Sequence, residues 1–240
     1  MTEQKAILWD NDGVLVDTEK WFFEANRREL AALGVEVSWE DFEAINLRRG
    51  ESLLPLSGLE GDELSALYAR RDKLYSGLLR SEETTMPGMQ ALLRRLRARD
   101  FRMGIVTSCH REHFEIIHAG SGILAHVDFV LCNEDYVHGK PHPDGYLAGL
   151  RRTGVSVEDC LVVEDSPRGI AAARAAGLTC LFFTPGGMGA ERQVGKVRGR
   201  AASVKELEEA IVTWAENAES TRAGNLDPTA VDSHTKTRGH

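Results

Sequence analysis

Ile7-Leu8-Trp9-Asp10-Asn11-Asp12-Gly13-Val14 decides how this chain is read: an apolar strand gives way to a glycine turn, with two carboxylates two residues apart at the junction. Strand side chains alternate, but a chain that turns at Gly13 lets Asp10 and Asp12 both lean over the strand's carboxyl edge. There one can attack while the other moves a proton. Aspartate and glycine are also ordinary turn residues, so the string alone admits a plain turn. Three later segments add to it. Arg102 to Thr107 ends in Thr107-Ser108, and Cys160 to Val163 ends in Glu164-Asp165-Ser166-Pro167-Arg168-Gly169; between them lies Gly139-Lys140-Pro141-His142-Pro143.

Working outward, five short apolar, β-branched-rich runs read as buried strands: Ala6 to Trp9, Arg102 to Thr107, Val127 to Leu131, Cys160 to Val163 and Thr179 to Phe183. Helical spacing of apolar residues separates them in Pro87 to Arg99, Arg111 to Ala119, Pro143 to Thr153 and Pro167 to Ala176. Several of these begin at a proline suited to a first helical turn. Strand and helix in alternation predict an α/β fold, a doubly wound parallel sheet of Rossmann-like type. In such a sheet ligands bind outside the carboxyl ends of the strands, so all four segments converge on one cleft.

The stretch from about Thr18 to Thr85 breaks the alternation. It has helical periodicity in Trp21 to Leu33, Trp39 to Ile45 and Leu64 to Leu79 but no convincing strand, and it is far longer than a crossover between parallel strands requires. It reads as an inserted all-helical cap. The expected organisation is a core of residues 1–17 and 86–217, a cap of 18–85, hinges near Val16 to Thr18 and Thr84 to Gly88, and a polar, disordered tail from 218 to 240. A further helix is expected from Val204 to Trp214.

Composition narrows the function classes. With 42% hydrophobic residues and a net charge of -8, the chain has enough apolar surface for a core and no basic excess to hold nucleic acid. No apolar run approaches the roughly 18 residues of a membrane helix, and no signal-peptide pattern precedes the first strand, so a cytoplasmic location and no membrane partner are expected. Cys109, Cys132, Cys160 and Cys180 are widely spaced and read as reduced packing residues. Cys109, His110 and His113 invite a thiol or metal reading, against which stands the lack of a Cys-x5-Arg phosphate loop. His138 and His142 flank Lys140 and read as surface loop or cleft lining.

The clustered carboxylates, hydroxyls and lysine suit a phosphoryl group bound with magnesium. With these motifs in order and suitably spaced, the chain resembles the haloacid dehalogenase superfamily, in the branch of small phosphatases and phosphoglucomutases with a helical cap. The likeness spans about Ile7 to Phe183. The resemblance implies that Asp10 is a nucleophile forming an aspartyl-phosphate and that Asp12 is the general acid and then the base. It implies that Thr107, Ser108 and Lys140 bind the transferring phosphoryl group. Asp10, Asp12 through its main-chain carbonyl, Glu164 directly or through water, and Asp165 would hold Mg2+. Read without the resemblance, Lys140 is an ordinary loop lysine, Thr107-Ser108 a strand end and Ser166-Pro167 a helix cap.

Retention of Asp12 disfavours the dehalogenase and phosphonate-cleaving members. β-Phosphoglucomutases carry a histidine five residues beyond the aspartate that corresponds to Asp17, and here that position is Phe22, which cannot relay a proton. The expected activity is therefore a magnesium-dependent phosphatase acting on a small phosphorylated metabolite, a sugar phosphate first. A sugar-phosphate mutase and a catalytically idle binding module are the rivals. The cap offers Glu19 at the hinge, Phe22, and Arg48-Arg49-Gly50-Glu51-Ser52. Arg48 and Arg49 read equally as substrate anchors, gripping a phosphate or carboxylate, or as solvated helix-end charges. Trp21, Phe22 and Phe23 either line the cleft or pack helices together. The chain is expected to act as a monomer or a homodimer.

Overall fold

A computed structural model describes residues 4–187 and 197–224. The chain enters through β1 (Ala6–Trp9) and passes at once into α1 (Glu19–Ala31) and the short α2 (Trp39–Phe42). The latter runs into a π-helical turn at Glu43–Arg48, before α3 (Gly61–Ser81). It returns through α4 (Met89–Ala98), β2 (Arg102–Val106), α5 (Arg111–His118), β3 (Phe129–Leu131), α6 (Asp144–Thr153), β4 (Cys160–Glu164), α7 (Pro167–Ala175), β5 (Thr179–Phe183), β6 (Gly199–Ala201) and α8 (Val204–Gly224). The sheet order is β3-β2-β1-β4-β5-β6, with every pairing parallel.

Alternation along the strands builds two layers of core. From β1, Ile7 and Trp9 face one side, where they meet Met103, Ile105, Leu161 and Val163 from neighbouring strands. Leu92 and Leu96 of α4, Phe114 of α5 and Leu207 and Ile211 of α8 close that layer. Ala6 and Leu8 face the other side with Val162, Phe182, Tyr146 of α6 and Ile170 of α7. Each fully buried aliphatic or aromatic side chain here contributes about 1.5–3 kcal/mol. Burial on both faces is why these strands read as continuous apolar runs.

All five expected strands are present, with ends displaced by a residue or two. Thr107 lies beyond β2, and Glu164 is drawn into β4. The sixth strand, β6, went unread because Gly199-Arg200-Ala201 has neither an apolar run nor alternation; it exists through pairing with β5. α8 continues past the expected end at Trp214 to Gly224, so the expected tail from 218 begins within a helix, and 225–240 lie outside the described residues.

Residues 19–81 contain no strand and hold their own apolar cluster of Leu30, Val37, Phe42, Leu53, Leu54 and Leu67. The two links to the sheet run side by side. Asp17 donates its N–H to the Thr84 carbonyl at 2.8 Å, Met86 donates to the Leu15 carbonyl at 3.0 Å, and Val16 bridges Thr85. No helix among the described residues is long and apolar enough to cross a membrane.

Candidate active site

Strand order reverses between β1 and β4, and the crevice this opens at their carboxyl ends is where the motifs meet. Asp10 is held there by its N–H on the Val163 carbonyl at 3.0 Å. The chain then winds into a tight turn in which the Asn11 carbonyl accepts from the N–H groups of Val14, Leu15 and Val16. That turn depends on Gly13, whose φ is +80° and whose missing Cβ would fall 2.1 Å from Asp165 Oδ2. Asp10 and Asp165 approach each other because nothing projects from Gly13. Gly13→Ala is expected to destabilise the fold by about 1–2 kcal/mol from the left-handed backbone alone and to push Asp165 aside. Thermal melts with and without a divalent cation check this; the variant should lose the cation's stabilisation.

Asp12 is oriented by three side chains. Thr18 donates a hydrogen bond to Oδ1, while Asn11 Nδ2 and Thr107 Oγ1 each lie 3.3 Å from Oδ2. Thr107 also accepts the Cys109 N–H at 2.9 Å, and Tyr136 donates to the Thr107 carbonyl at 2.7 Å, so the loop after β2 is tied down. Ser108 is exposed on the cleft wall beside it.

Lys140 is buried between two carboxylates, its Nζ 2.6 Å from Asp10 Oδ1 and 2.7 Å from Glu164 Oε1. A third bond goes to the Val106 carbonyl at 3.2 Å, and Arg168 donates to the Lys140 carbonyl, fixing the loop that carries the lysine. Desolvation lowers the lysine's proton affinity, but the two carboxylates outweigh it and hold the ammonium well above its usual range.

Glu164 is fully buried and saturated. Oε1 accepts from Lys140 and from Tyr146 Oη at 2.8 Å; Oε2 accepts from the N–H groups of Asp165 and Ser166 and from Ser166 Oγ at 3.0–3.1 Å. Ser166 Oγ in turn caps α7 by accepting the Gly169 N–H at 3.0 Å. The carboxylate sits so close to α7 that a Cβ on Gly169 would lie 1.6 Å from Oε1. Glu164 is therefore built to place Lys140 and the Asp165 turn.

Oxygens of Asp10, Glu164 and Asp165 lie within 4.8 Å of one another, all three residues buried. Burial first, then the charge of Glu164, push the Asp10 carboxyl up to about 7 against the pull of Lys140. Three buried carboxylates with Asp12 alongside gather hard oxygen donors at one point, which fit a hard divalent cation.

His118 extends the network behind the site. Its Nε2 lies 2.8 Å from Asn11 Oδ1 and its Nδ1 2.9 Å from Ser121 Oγ, and burial lowers its pKa to about 4. The folded protein keeps this ring neutral, whereas the unfolded chain takes up a proton near pH 6.5. Its stabilising contribution is complete above about pH 6.5 and is lost as pH falls toward 4, on the order of 3 kcal/mol in all. His118→Gln should lose stability less steeply than the parent across that window in urea titrations.

Two adjoining clefts open from this centre. One, of about 150 Å³, is lined by Asp10, Asp12, Ser108, Lys140, Asp165 and Arg168. The other, of about 210 Å³, runs between α1, the π-helical turn, α3 and the start of α5. They share Asp12, Glu19, Asn46, Leu47 and Ser108. Glu19 lines both clefts and Phe22 the second. Arg48 and Arg49 line neither cleft: both stand exposed, paired with Glu43 at 3.4 Å and Glu51 at 3.5 Å. The π winding adds a residue to the turn and presents Asn46 and Leu47 in their place. Trp21 and Phe23 line neither cleft, and Phe23 stacks within the helical cluster on Trp39 and Phe42.

Tyr146, Thr18 and Tyr75 are functional neighbours that motif reading missed, because each reaches the site from a helix or helix end with no local signal. Burial holds the Cys109 thiol well above its usual range, which favours the protonated form. His138 and His142 lie on the surface and pair with Asp144.

A family profile described as haloacid dehalogenase-like hydrolase matches residues 4–177. Protein CbbY of Rhodobacter capsulatus is 29% identical over 198 residues, 76% of this chain and 86% of that protein. Hexitol phosphatase A of Escherichia coli is 32% identical over 178 residues, 72% of this chain and 80% of that protein. Among solved structures, β-phosphoglucomutase from Clostridium difficile superposes with a TM-score of 0.74, covering 91% of this chain and 100% of that one; at 18% identity this likeness speaks to the fold alone.

Proposed function

Because the chain belongs to the haloacid dehalogenase-like hydrolase family and is a phosphoric monoester hydrolase, we propose that it hydrolyses a small phosphorylated metabolite, a sugar or polyol phosphate, through a phosphorylated Asp10. The observation that carries this is Lys140 bonded at once to Asp10 and Glu164 in the crevice where Asp12 and Asp165 also converge. Related proteins named as phosphatases, such as Hexitol phosphatase A, support the reading.

The chemistry follows from placement. An Asp10 oxygen attacks phosphorus as the ester P–O bond breaks, and Asp12 gives its proton to the departing alcohol. Asp12, now a carboxylate held by Thr18, Thr107 and Asn11, takes a proton from water, whose oxygen attacks the same phosphorus and frees Asp10 and inorganic phosphate. Lys140, Thr107 and the Ser108 main-chain N–H face the phosphoryl oxygens as charge redistributes. Asp10, Asp165 and the Asp12 main-chain carbonyl would hold Mg2+, with Glu164 behind them; when bound, the ion neutralises phosphoryl charge and keeps Asp10 ionised. The helical residues 18–85 act as a cap over a core of 1–17 and 86–217, hinged where Asp17 and Met86 bond across the paired links.

Phe22 favours hydrolysis over mutase chemistry. It lines the second cleft edge-on to Tyr75 at 5.0 Å and offers no group to relay a proton to or from Asp12. Phosphate release from sugar and polyol phosphates and β-glucose 1-phosphate, with and without magnesium, tests the reading. Magnesium-dependent release is expected. Conversion of β-glucose 1-phosphate to glucose 6-phosphate without free phosphate would point to the mutase instead, and a bound cation without turnover to an idle module.

A further inference from the structure

The second cleft has a chemistry of its own. Its apolar wall is Phe22, Phe42, Leu47 and Tyr75, with Phe22 set against both other rings at 5.0 and 6.3 Å. Its charged groups are the carboxylates of Asp12 and Glu19, with His110 at its edge already paired to Glu134 at 2.9 Å, and among the described residues that line it there is no lysine or arginine. The cations close by are committed elsewhere. Arg71 lies on the Phe22 ring at 4.5 Å and bonds Asn26 and Asp72, and Arg168, on the first cleft, donates to the Lys140 carbonyl.

One polar group of this cleft lacks a partner. His113 is 7% exposed, yet its Nε2 is buried without any hydrogen bond in the protein. The ring stacks edge-on against Tyr75 at 4.9 Å, which fixes its plane. Burial favours the neutral ring, whose two nitrogens are one donor and one acceptor, and a hydroxyl can satisfy either at Nε2. A buried polar atom left without a partner costs about 1–3 kcal/mol, which a ligand hydroxyl recovers.

We propose that this cleft selects the leaving group as an uncharged alcohol carrying a further hydroxyl, which hydrogen-bonds His113 Nε2, and that it rejects phosphomonoesters bearing a second anionic group. This rests on the phosphatase reading above. The shared border at Asp12 and Ser108 lets the phosphoryl group sit in the first cleft while the alcohol extends into the second. A carboxylate or second phosphate there would be desolvated against Glu19 and three aromatic rings with no lysine or arginine among the described lining residues to meet it. Stacked C–H faces of a polyol suit those rings, and its hydroxyls suit His113, Asn46 and Thr18.

The test compares kcat/KM, with magnesium, across matched esters of three and six carbons. Glycerol 3-phosphate is set against 3-phosphoglycerate and propyl phosphate, and sorbitol 6-phosphate against 6-phosphogluconate and hexyl phosphate. At one or both lengths the neutral polyol should exceed the acid by about 10²-fold and the alkyl ester by about tenfold or more. His113→Leu, checked for folding by its melting curve, should bring the polyol-to-alkyl ratio close to one, and Glu19→Gln should raise the acid relative to the polyol. Acids turned over as well as polyols at both lengths, or a polyol-to-alkyl ratio indifferent to His113→Leu, would overturn the inference while the phosphatase reading stands. No turnover of any ester would remove that reading, and this one with it.

Discussion

Asp10→Asn is expected to lower magnesium-dependent phosphate release by about 10⁴-fold or more, with the fold intact. Loss of a nucleophile is not compensated by neighbours that act only through it, so the deficit should approach that of losing the whole reacting constellation. The asparagine is nearly isosteric and keeps an oxygen for Lys140, which now stands 2.6 Å from Asp10 Oδ1. Burial and Glu164 already raise the Asp10 carboxyl to about 7, so the metal-free protein holds a proton there that the unfolded chain, with its ordinary carboxyl, gives up. A raised acid pKa makes stability fall as pH climbs from about 4 to 7, and asparagine removes that loss. The metal-free variant should therefore melt no lower than the parent at pH 7.5 while being inactive. Steady-state phosphate assays and paired melts read both halves, and intact-mass detection of a phosphorylated parent, absent in the variant, identifies the covalent step.

Lys140→Met should produce the largest loss of stability of any single change at the site. The methionine fills a similar volume but leaves Asp10 and Glu164 facing each other, buried, where Nζ now lies 2.6 and 2.7 Å from them. Removing one partner of a buried charge group costs about 3–5 kcal/mol, on the order of 10 °C in melting temperature for a chain of this size. Without the ammonium the Asp10 carboxyl is raised further in the folded state. The deficit should then be greatest above neutral pH and shrink as pH falls toward 5 and Asp10 takes up a proton. A deficit independent of pH would show that packing around Tyr146, and not charge, dominates. Activity should fall by about 10²–10³-fold even where the variant is folded, because the lysine faces the charge that moves during transfer.

Both expectations rest on residues that sequence alone singled out. Asp10, Asp12, Thr107, Glu164 and Asp165 were legible because they stand at the carboxyl ends of apolar runs, and a parallel sheet gathers those ends whatever the helices between them do, whereas Lys140 lies in a loop and was singled out through the family resemblance. The inserted helices were legible for a similar reason, since 3.6-residue periodicity without strands is a local property. What faces the substrate from those helices was not. Arg48 and Arg49 carried the charge expected of anchors, but a π-helical turn, stabilised by bonds such as Glu51 N–H to the Ile45 carbonyl at 3.0 Å, points Asn46 and Leu47 inward.

Glu164 shows the same division in one residue. Its place beside Asp165 suggested a metal ligand, and its oxygens do lie within 4.8 Å of those of Asp10 and Asp165, but only the packed structure shows that five hydrogen bonds also make it the anchor of Lys140 and of the turn before α7. β6 is the counterpart in the fold, a Gly-Arg-Ala segment that is a strand only because β5 offers it an edge. Sequence by itself determined the parallel sheet, the strand-free helical stretch and the carboxylates gathered at the strand ends, because strand burial, helical periodicity and turn chemistry are encoded over a few neighbouring residues. Tertiary structure alone decided which helical residues line the clefts, that His113 carries a buried ring nitrogen without a partner, and how Tyr146 and Thr18 hold the carboxylates. Those facts depend on distances between segments far apart in the chain, set by packing that no local pattern records.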